Sequence, residues 1–337
     1  MNSQSHFSRT EGYLGSVVTS NLLHSSCSVK CEKRSSSQFM DQRWKIAGVI
    51  CVLMSSAWAS YGQVASVSEK PLVEVTYRTV GKLIYVPVQV NGSSPLWFCF
   101  DTGAPNSIID EAAAKKLSIG VRSGGSIHGV GKGEVSAGDA GEVPLTIAGL
   151  VTRIPHAKLV DLSKVPVPVR MDGLLGAEFL EQYVVKIDPA LHRISFYEPK
   201  EFTYHGDGKS IPVEWTNSRL YISVGLAAKP GELVQRRVRV DTGSEDSVDD
   251  DTVRQSPTTQ KTVLGNGLGA SYEDVSGVYD TVVIGPFTFR HVWGPAGAVP
   301  IVGMEMLRRF TMTFDVRRGL LYLEPNASLS EPVPAPS

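Results

Sequence analysis

Cysteine is nearly missing from the body of this chain: of four cysteines in 337 residues, only Cys99 lies after residue 59. One thiol cannot close an intrachain disulfide, so the body must be held by an apolar core rather than by covalent staples. A charge imbalance is absent too. With 33 Lys and Arg against 34 Asp and Glu, the net charge is −1. No basic run is present, so nucleic acid is not an expected partner. The apolar run Ile46–Met54 falls short of the roughly 20 residues that a spanning helix requires. The seven histidines are scattered without ligand spacing, and Cys27 and Cys31 form a CxxxC without a second pair; no metal is implied. "GVGKGE" lacks the hydroxyl residue after its lysine that a phosphate loop needs. "GNGLGA" fits a dinucleotide fingerprint, but strand-like "SYEDVSGVYDTVVIG" follows where that fingerprint needs a helix.

What is present divides the chain. Residues 1–39 are serine-rich and poor in aromatics, and read as a disordered extension. In residues 40–59, Arg43 and Lys45 precede the apolar run and Ala57-Trp58-Ala59 follows it. That order is the pattern of a cleaved export signal, and its position implies that translation starts at Met40. The expected location is therefore periplasmic or secreted, with no stable membrane span once the signal is removed. From Lys70 onward the alternation is mainly that of strands. "YVPVQVNGSSPLWFCF" reads as a hairpin around Asn-Gly.

The second half of the body repeats the first. "GAEFLEQYVVKIDPALHRISFYEP" from Gly176 matches "GMEMLRRFTMTFDVRRGLLYLEP" from Gly303, pairing Glu178 with Glu305 and Asp188 with Asp315. Such ordered landmarks argue for internal duplication. They predict a first lobe at 70–200, a linker at 201–211, a second lobe at 212–325, and a Pro-rich tail at 326–337 that does not pack.

Each half also carries Asp-Thr-Gly at the end of a strand, at Asp101 and Asp241. One copy would be an ordinary turn. Two copies at matching places in a repeated chain predict two carboxylates facing each other across a two-fold axis. Close carboxylates share one proton, so one accepts a proton from water while the other donates to a substrate carbonyl.

On these residues the chain resembles the aspartic protease superfamily, and within it the retropepsin-like proteases, with two lobes in one chain. The motifs that carry the resemblance are Asp101-Thr102-Gly103-Ala104, Asp241-Thr242-Gly243-Ser244, Leu174-Leu175-Gly176 and Ile301-Val302-Gly303. The resemblance implies an all-β fold with short helices, built as two tandem β-barrel lobes with the active site between them. It implies that Thr102 and Thr242 bond across the interface, that Gly103 and Gly243 admit close approach, and that Ser107 and Ser247 support the catalytic loops. Leu175-Gly176 and Val302-Gly303 would thread beside those loops. Gly129, Gly131, Gly267 and Gly269 would lie in flaps over a peptide or protein substrate. No cofactor is implied, and one chain suffices as a monomer.

The halves differ in places. Asn106 stands against Glu245 and Asp246, which would make the subsites chemically unequal. Ser244 replaces Ala104, which would give one carboxylate an extra hydroxyl donor. In the second half "VDDDTVRQSPTTQ" stands where the first has the helix-forming "DEAAAKKLSIG". The expectation is an exported endopeptidase working through Asp101 and Asp241. The alternative is a peptide-binding module that keeps the fold without catalysis.

Overall fold

Asp-Thr-Gly turns stop two strands at corresponding places, and the surrounding sheets explain how. The computed structural model describes residues 70–129, 131–165, 170–265 and 267–335; the expected disordered extension (1–39) and export signal (40–59) lie outside them. The described chain is mainly β, with three short α-helices at Glu111–Lys116, Glu178–Gln182 and Met304–Leu307. No helix among the described residues is long and apolar enough to cross a membrane.

The first half builds an eight-stranded sheet. Its strand Leu83–Val90 buries Val86, Val88 and Val90 on one face, as a period of two requires. Asn91 and Gly92 follow with φ of 50° and 74°, the left-handed pair that closes a tight hairpin onto Leu96–Phe100. Gly173–Leu175 then inserts between Leu96–Phe100, to which it runs parallel, and Ile108–Asp110.

The second half repeats this arrangement in another eight-stranded sheet. Ile301–Val302 runs parallel to Val234–Val240 and antiparallel to Val248–Asp249. Where the first half continues into the helix Glu111–Lys116, capped by the Asp110 carboxylate, the second gives only the 3-10 turn Asp251–Gln255. Acidic residues and the proline that follows leave no room for a longer helix.

A third sheet joins the halves. Its six strands run in the order Val73–Thr76, Arg193–Tyr197, Val184–Asp188, Phe310–Asp315, Leu320–Pro325 and Lys209–Pro212. The two halves meet at its centre, where Val184–Asp188 pairs with Phe310–Asp315. One apolar cluster runs through both, including Val86, Phe98, Phe100 and Phe196 with Val224, Val240, Phe310 and Phe314. Cys99 is buried and free.

Two expected boundaries are corrected. The linker 201–211 contains most of a strand, Lys209–Pro212, paired to Leu320–Pro325. Tyr204 in that segment stacks on Tyr322 with ring centroids 3.9 Å apart. The tail 326–337 packs at least as far as Pro332. Arg309, with no exposed surface, donates to the carbonyls of Ser328 (3.1 Å) and Leu329 (3.3 Å) and to that of Glu331. Serine and proline composition suggested freedom, but a buried guanidinium needs acceptors, and the tail's carbonyls supply them.

Candidate active site

Both aspartates sit immediately after a strand that a parallel neighbour holds. The Asp101 N–H donates to the Leu175 carbonyl at 2.9 Å, and the Asp241 N–H to the Val302 carbonyl at 3.0 Å. The turns then fold back on the side chains. Gly103 and Ala104 donate their N–H groups to Asp101 Oδ1 at 2.9 and 3.1 Å; Gly243 donates to Asp241 Oδ1 at 3.0 Å.

The threonines lock the two turns together. The Thr102 N–H donates to Thr242 Oγ1 (3.1 Å) and the Thr242 N–H to Thr102 Oγ1 (3.0 Å). Each hydroxyl in turn donates across the interface, Thr102 to the Val240 carbonyl (2.8 Å) and Thr242 to the Phe100 carbonyl (2.7 Å). Both threonines are fully buried, so these four bonds have no competition from water. The glycines show how close the carboxylates come. A Cβ on Gly103 would lie 2.1 Å from Asp241 Oδ2, and one on Gly243 would lie 2.3 Å from Asp101 Cγ. Each half thus presents a bare α-carbon to the other's acid.

The support residues follow the same positions with different bonds. Ser107 Oγ accepts from the Gly176 N–H at 2.9 Å, and the Ser107 N–H donates to Glu178 Oε1 at 2.6 Å. Ser247 Oγ instead donates to the Trp293 carbonyl, and the Gly303 N–H reaches the Ser247 carbonyl at 2.9 Å.

Two glycine-tipped hairpins, one from each half, meet at their tips. They are formed by Ser123–Ile127 with Val135–Ile147 and by Thr259–Leu264 with Tyr272–Ile284. Gly131 donates to the Leu268 carbonyl at 3.0 Å, while Lys132 and Ala270 exchange bonds of 2.8 and 2.9 Å. Cβ atoms on Gly129 and Gly131 would lie 2.3 Å from the Leu268 carbonyl oxygen and 2.6 Å from the Gly269 carbonyl carbon. Glycine is therefore required for the tips to touch. Gly267 lies in the same tip, its N–H bonded to the Gly265 carbonyl at 2.8 Å.

Of the residues singled out as subsite candidates, Glu245 has another task. Its Oε1 accepts the Lys82 N–H from the first half at 2.8 Å. Lys82 Nζ reaches the Glu245 carbonyl at 3.3 Å and Glu305 Oε2 at 2.9 Å. Glu245 therefore fastens the two halves together. Asp246 is exposed beside it and Asn106 is partly buried on the matching turn.

The expected hydroxyl donor is also corrected. Ser244 Oγ accepts the Asp246 N–H at 3.2 Å. The additional donor to the second carboxylate is Arg239, whose Nη2 lies 2.9 Å from Asp241 Oδ2 with 8% of the residue exposed. Strand alternation places Val238 and Val240 in the core and Arg239 on the face of Asp241. The matching place in the first half holds Cys99. An arginine two residues before the acid, in a strand end otherwise apolar, was the available signal.

The electrostatics follow from this asymmetry. Burial and then the Asp241 charge push the Asp101 carboxyl up to about 7, against the opposing pull of Arg239 and the Gly103 and Ala104 N–H groups. Asp249 is pushed well above the ordinary carboxylate range, chiefly by burial.

Residues 86–179 match a family described as aspartyl protease. The matched stretch holds Asp101, the first glycine-tipped hairpin and Leu174–Gly176, and ends before Asp241. No curated protein matches the chain.

Proposed function

We propose that this chain, whose residues 86–179 match the aspartyl protease family, is an exported endopeptidase in which Asp101 and Asp241 form one catalytic pair. The observation that carries this reading is the reciprocal contact of each glycine with the opposite carboxylate. It brings one acid from each half to a common point. Burial and the neighbouring Asp241 push the Asp101 carboxyl up to about 7, which favours a proton held on Asp101 at acid pH.

The chemistry then needs only water and a peptide. The charged carboxylate takes a proton from the water as its oxygen attacks the carbonyl carbon, and the neutral one gives its proton to the carbonyl oxygen. The resulting diol collapses when the C–N bond breaks. The nitrogen leaves with a proton from the first carboxyl, and a hydroxyl proton returns to the second. An extended peptide would be held under the hairpin tips by backbone bonds. Export rests on the charged and apolar pattern of residues 40–59, and one chain supplies the whole pair, so no dimer is needed.

The test is peptide-library cleavage by the purified chain from about pH 3 to 8, with Asp101→Asn and Asp241→Asn in parallel. Loss of cleavage in both variants is expected. Full cleavage in either one would refute the shared pair, and a folded wild type that binds peptides without cutting them would refute catalysis. N-terminal sequencing of the secreted protein tests export; residues before Ser60 on the mature form would overturn it.

A further inference from the structure

Resting on the reading of Asp101 and Asp241 as the working pair, we propose that Arg239 is a positioning residue that assigns their roles. It keeps Asp241 as the carboxylate that takes the water's proton and leaves Asp101 as the acid that donates to the peptide carbonyl.

The donors on the two acids differ in kind. Asp101 receives two neutral backbone N–H groups, at 2.9 and 3.1 Å. Asp241 receives one such group, at 3.0 Å, and a guanidinium, at 2.9 Å. A charge-assisted bond is roughly twice as strong as a neutral one, and it favours the ionised acceptor. Arg239 has a reciprocal need. It is buried, its Nε has no hydrogen-bond partner, and an unpaired buried cation is costly.

The surrounding charges leave Asp241 as its partner. Asp249 stands one strand further away, with Ile301 paired between it and Arg239, and burial favours its neutral form. Glu245 and Asp246 follow Asp241; Glu245 is turned to Lys82 of the first half, and Asp246 is exposed. Arg237, on the same strand face, forks onto Glu214 at 2.7 Å in both bonds. Its guanidinium also lies over Tyr221, the residue paired with Arg239 on the adjacent strand. Across the cleft, Arg239's counterpart Cys99 is a thiol that burial, Asp101 and Asp241 hold in its neutral form. Among the described residues, no cation matches Arg239 on the Asp101 side.

The experiment is a carboxyl-carbon NMR titration of the full chain labelled at aspartate, from about pH 2 to 9, for wild type, Arg239→Met and Arg239→Lys. The expected order within the pair in wild type is Asp241 before Asp101. Arg239→Met raises the Asp241 step by about one to three pH units, and Arg239→Lys holds it near the wild-type position. Asp101 ionising first in wild type would overturn the assignment, as would a folded Arg239→Met variant with an unmoved Asp241 step. If the methionine variant does not fold, the order in wild type and in the lysine variant decides. This readout needs no turnover, so a chain that cleaves nothing would refute the protease reading and leave the test of Arg239 intact. Where cleavage is measurable, both limbs of the pH–rate profile move to higher pH in Arg239→Met. A merely structural arginine would lower the rate and leave the limbs in place.

Discussion

Replacing Thr102 by valine keeps the side chain's shape and removes one oxygen. That oxygen serves two bonds, accepting from the Thr242 N–H at 3.0 Å and donating to the Val240 carbonyl at 2.8 Å. Thr102 is fully buried, so water cannot replace either bond without opening the interface. Leaving a buried backbone group unsatisfied costs about 1–3 kcal/mol. Two such groups set an expectation of about 2–5 kcal/mol, with partial relaxation of the loops below the upper end. Thr242→Val should cost a similar amount, since it orphans the Thr102 N–H and the Phe100 carbonyl. In the double variant the second change should cost about 1 kcal/mol less than the first, because the two turns share one interface. Urea unfolding measures all three, and an unchanged slope with a lowered midpoint would mark a loss of folded-state stability. Thr102→Ser, which keeps the hydroxyl, should recover most of it. A loss under about 0.5 kcal/mol for Thr102→Val, or no recovery with serine, would refute the argument that these bonds hold the halves together.

Three further outcomes are expected. Asp101 has a folded pKa of about 7, above its unfolded value near 3.9. Its protonation therefore stabilises the fold fully below about pH 4, and that contribution is lost as pH rises through 7, by up to about 1.4 kcal/mol per pH unit. Thermal unfolding of Asp101→Asn should lack that decline, and a decline identical to wild type would disprove the shift. Glu305→Gln removes the anion shared by Arg308, Arg309 and Lys82, each 2.9 Å away; with Arg309 fully buried, denaturant titration should show a loss of about 3–5 kcal/mol. Gly243→Ala adds a Cβ 2.3 Å from Asp101 Cγ, so peptide cleavage should fall by at least about a hundredfold in a protein whose circular dichroism is unchanged; wild-type turnover would mean the turns are looser than described.

The parts of the site that repeat were legible in the sequence because repetition itself was the signal. Asp101-Thr102-Gly103 and Asp241-Thr242-Gly243 stand at matching strand ends, and Leu174–Gly176 and Ile301–Gly303 bond to the acids' own N–H groups. The unequal helices were legible as well, since proline and acidic residues act locally. What escaped were contacts that depend on the folded arrangement rather than on local pattern. Nothing near Lys82 announces that it will meet Glu245, 163 residues away. The tail looked free by composition, yet Arg309 required its carbonyls. Ser244 offered a local donor to Asp241, but its Oγ accepts the Asp246 N–H, and the bond to Asp241 Oδ2 comes from Arg239 on the preceding strand.

The six-stranded sheet that ties the halves into one chain has a consequence for what the site can become. In an assembly of two identical subunits, any change near the axis appears twice, so a cation beside one acid would bring a second beside the other. Here the strand ending at Asp101 carries Cys99 where the strand ending at Asp241 carries Arg239. Covalent continuity frees the two sides to be chosen separately. It also makes pairing of the acids a first-order event, independent of how dilute the protein is. An enzyme of this plan released into a large volume would keep its working pair, where a dimer of separate halves would come apart.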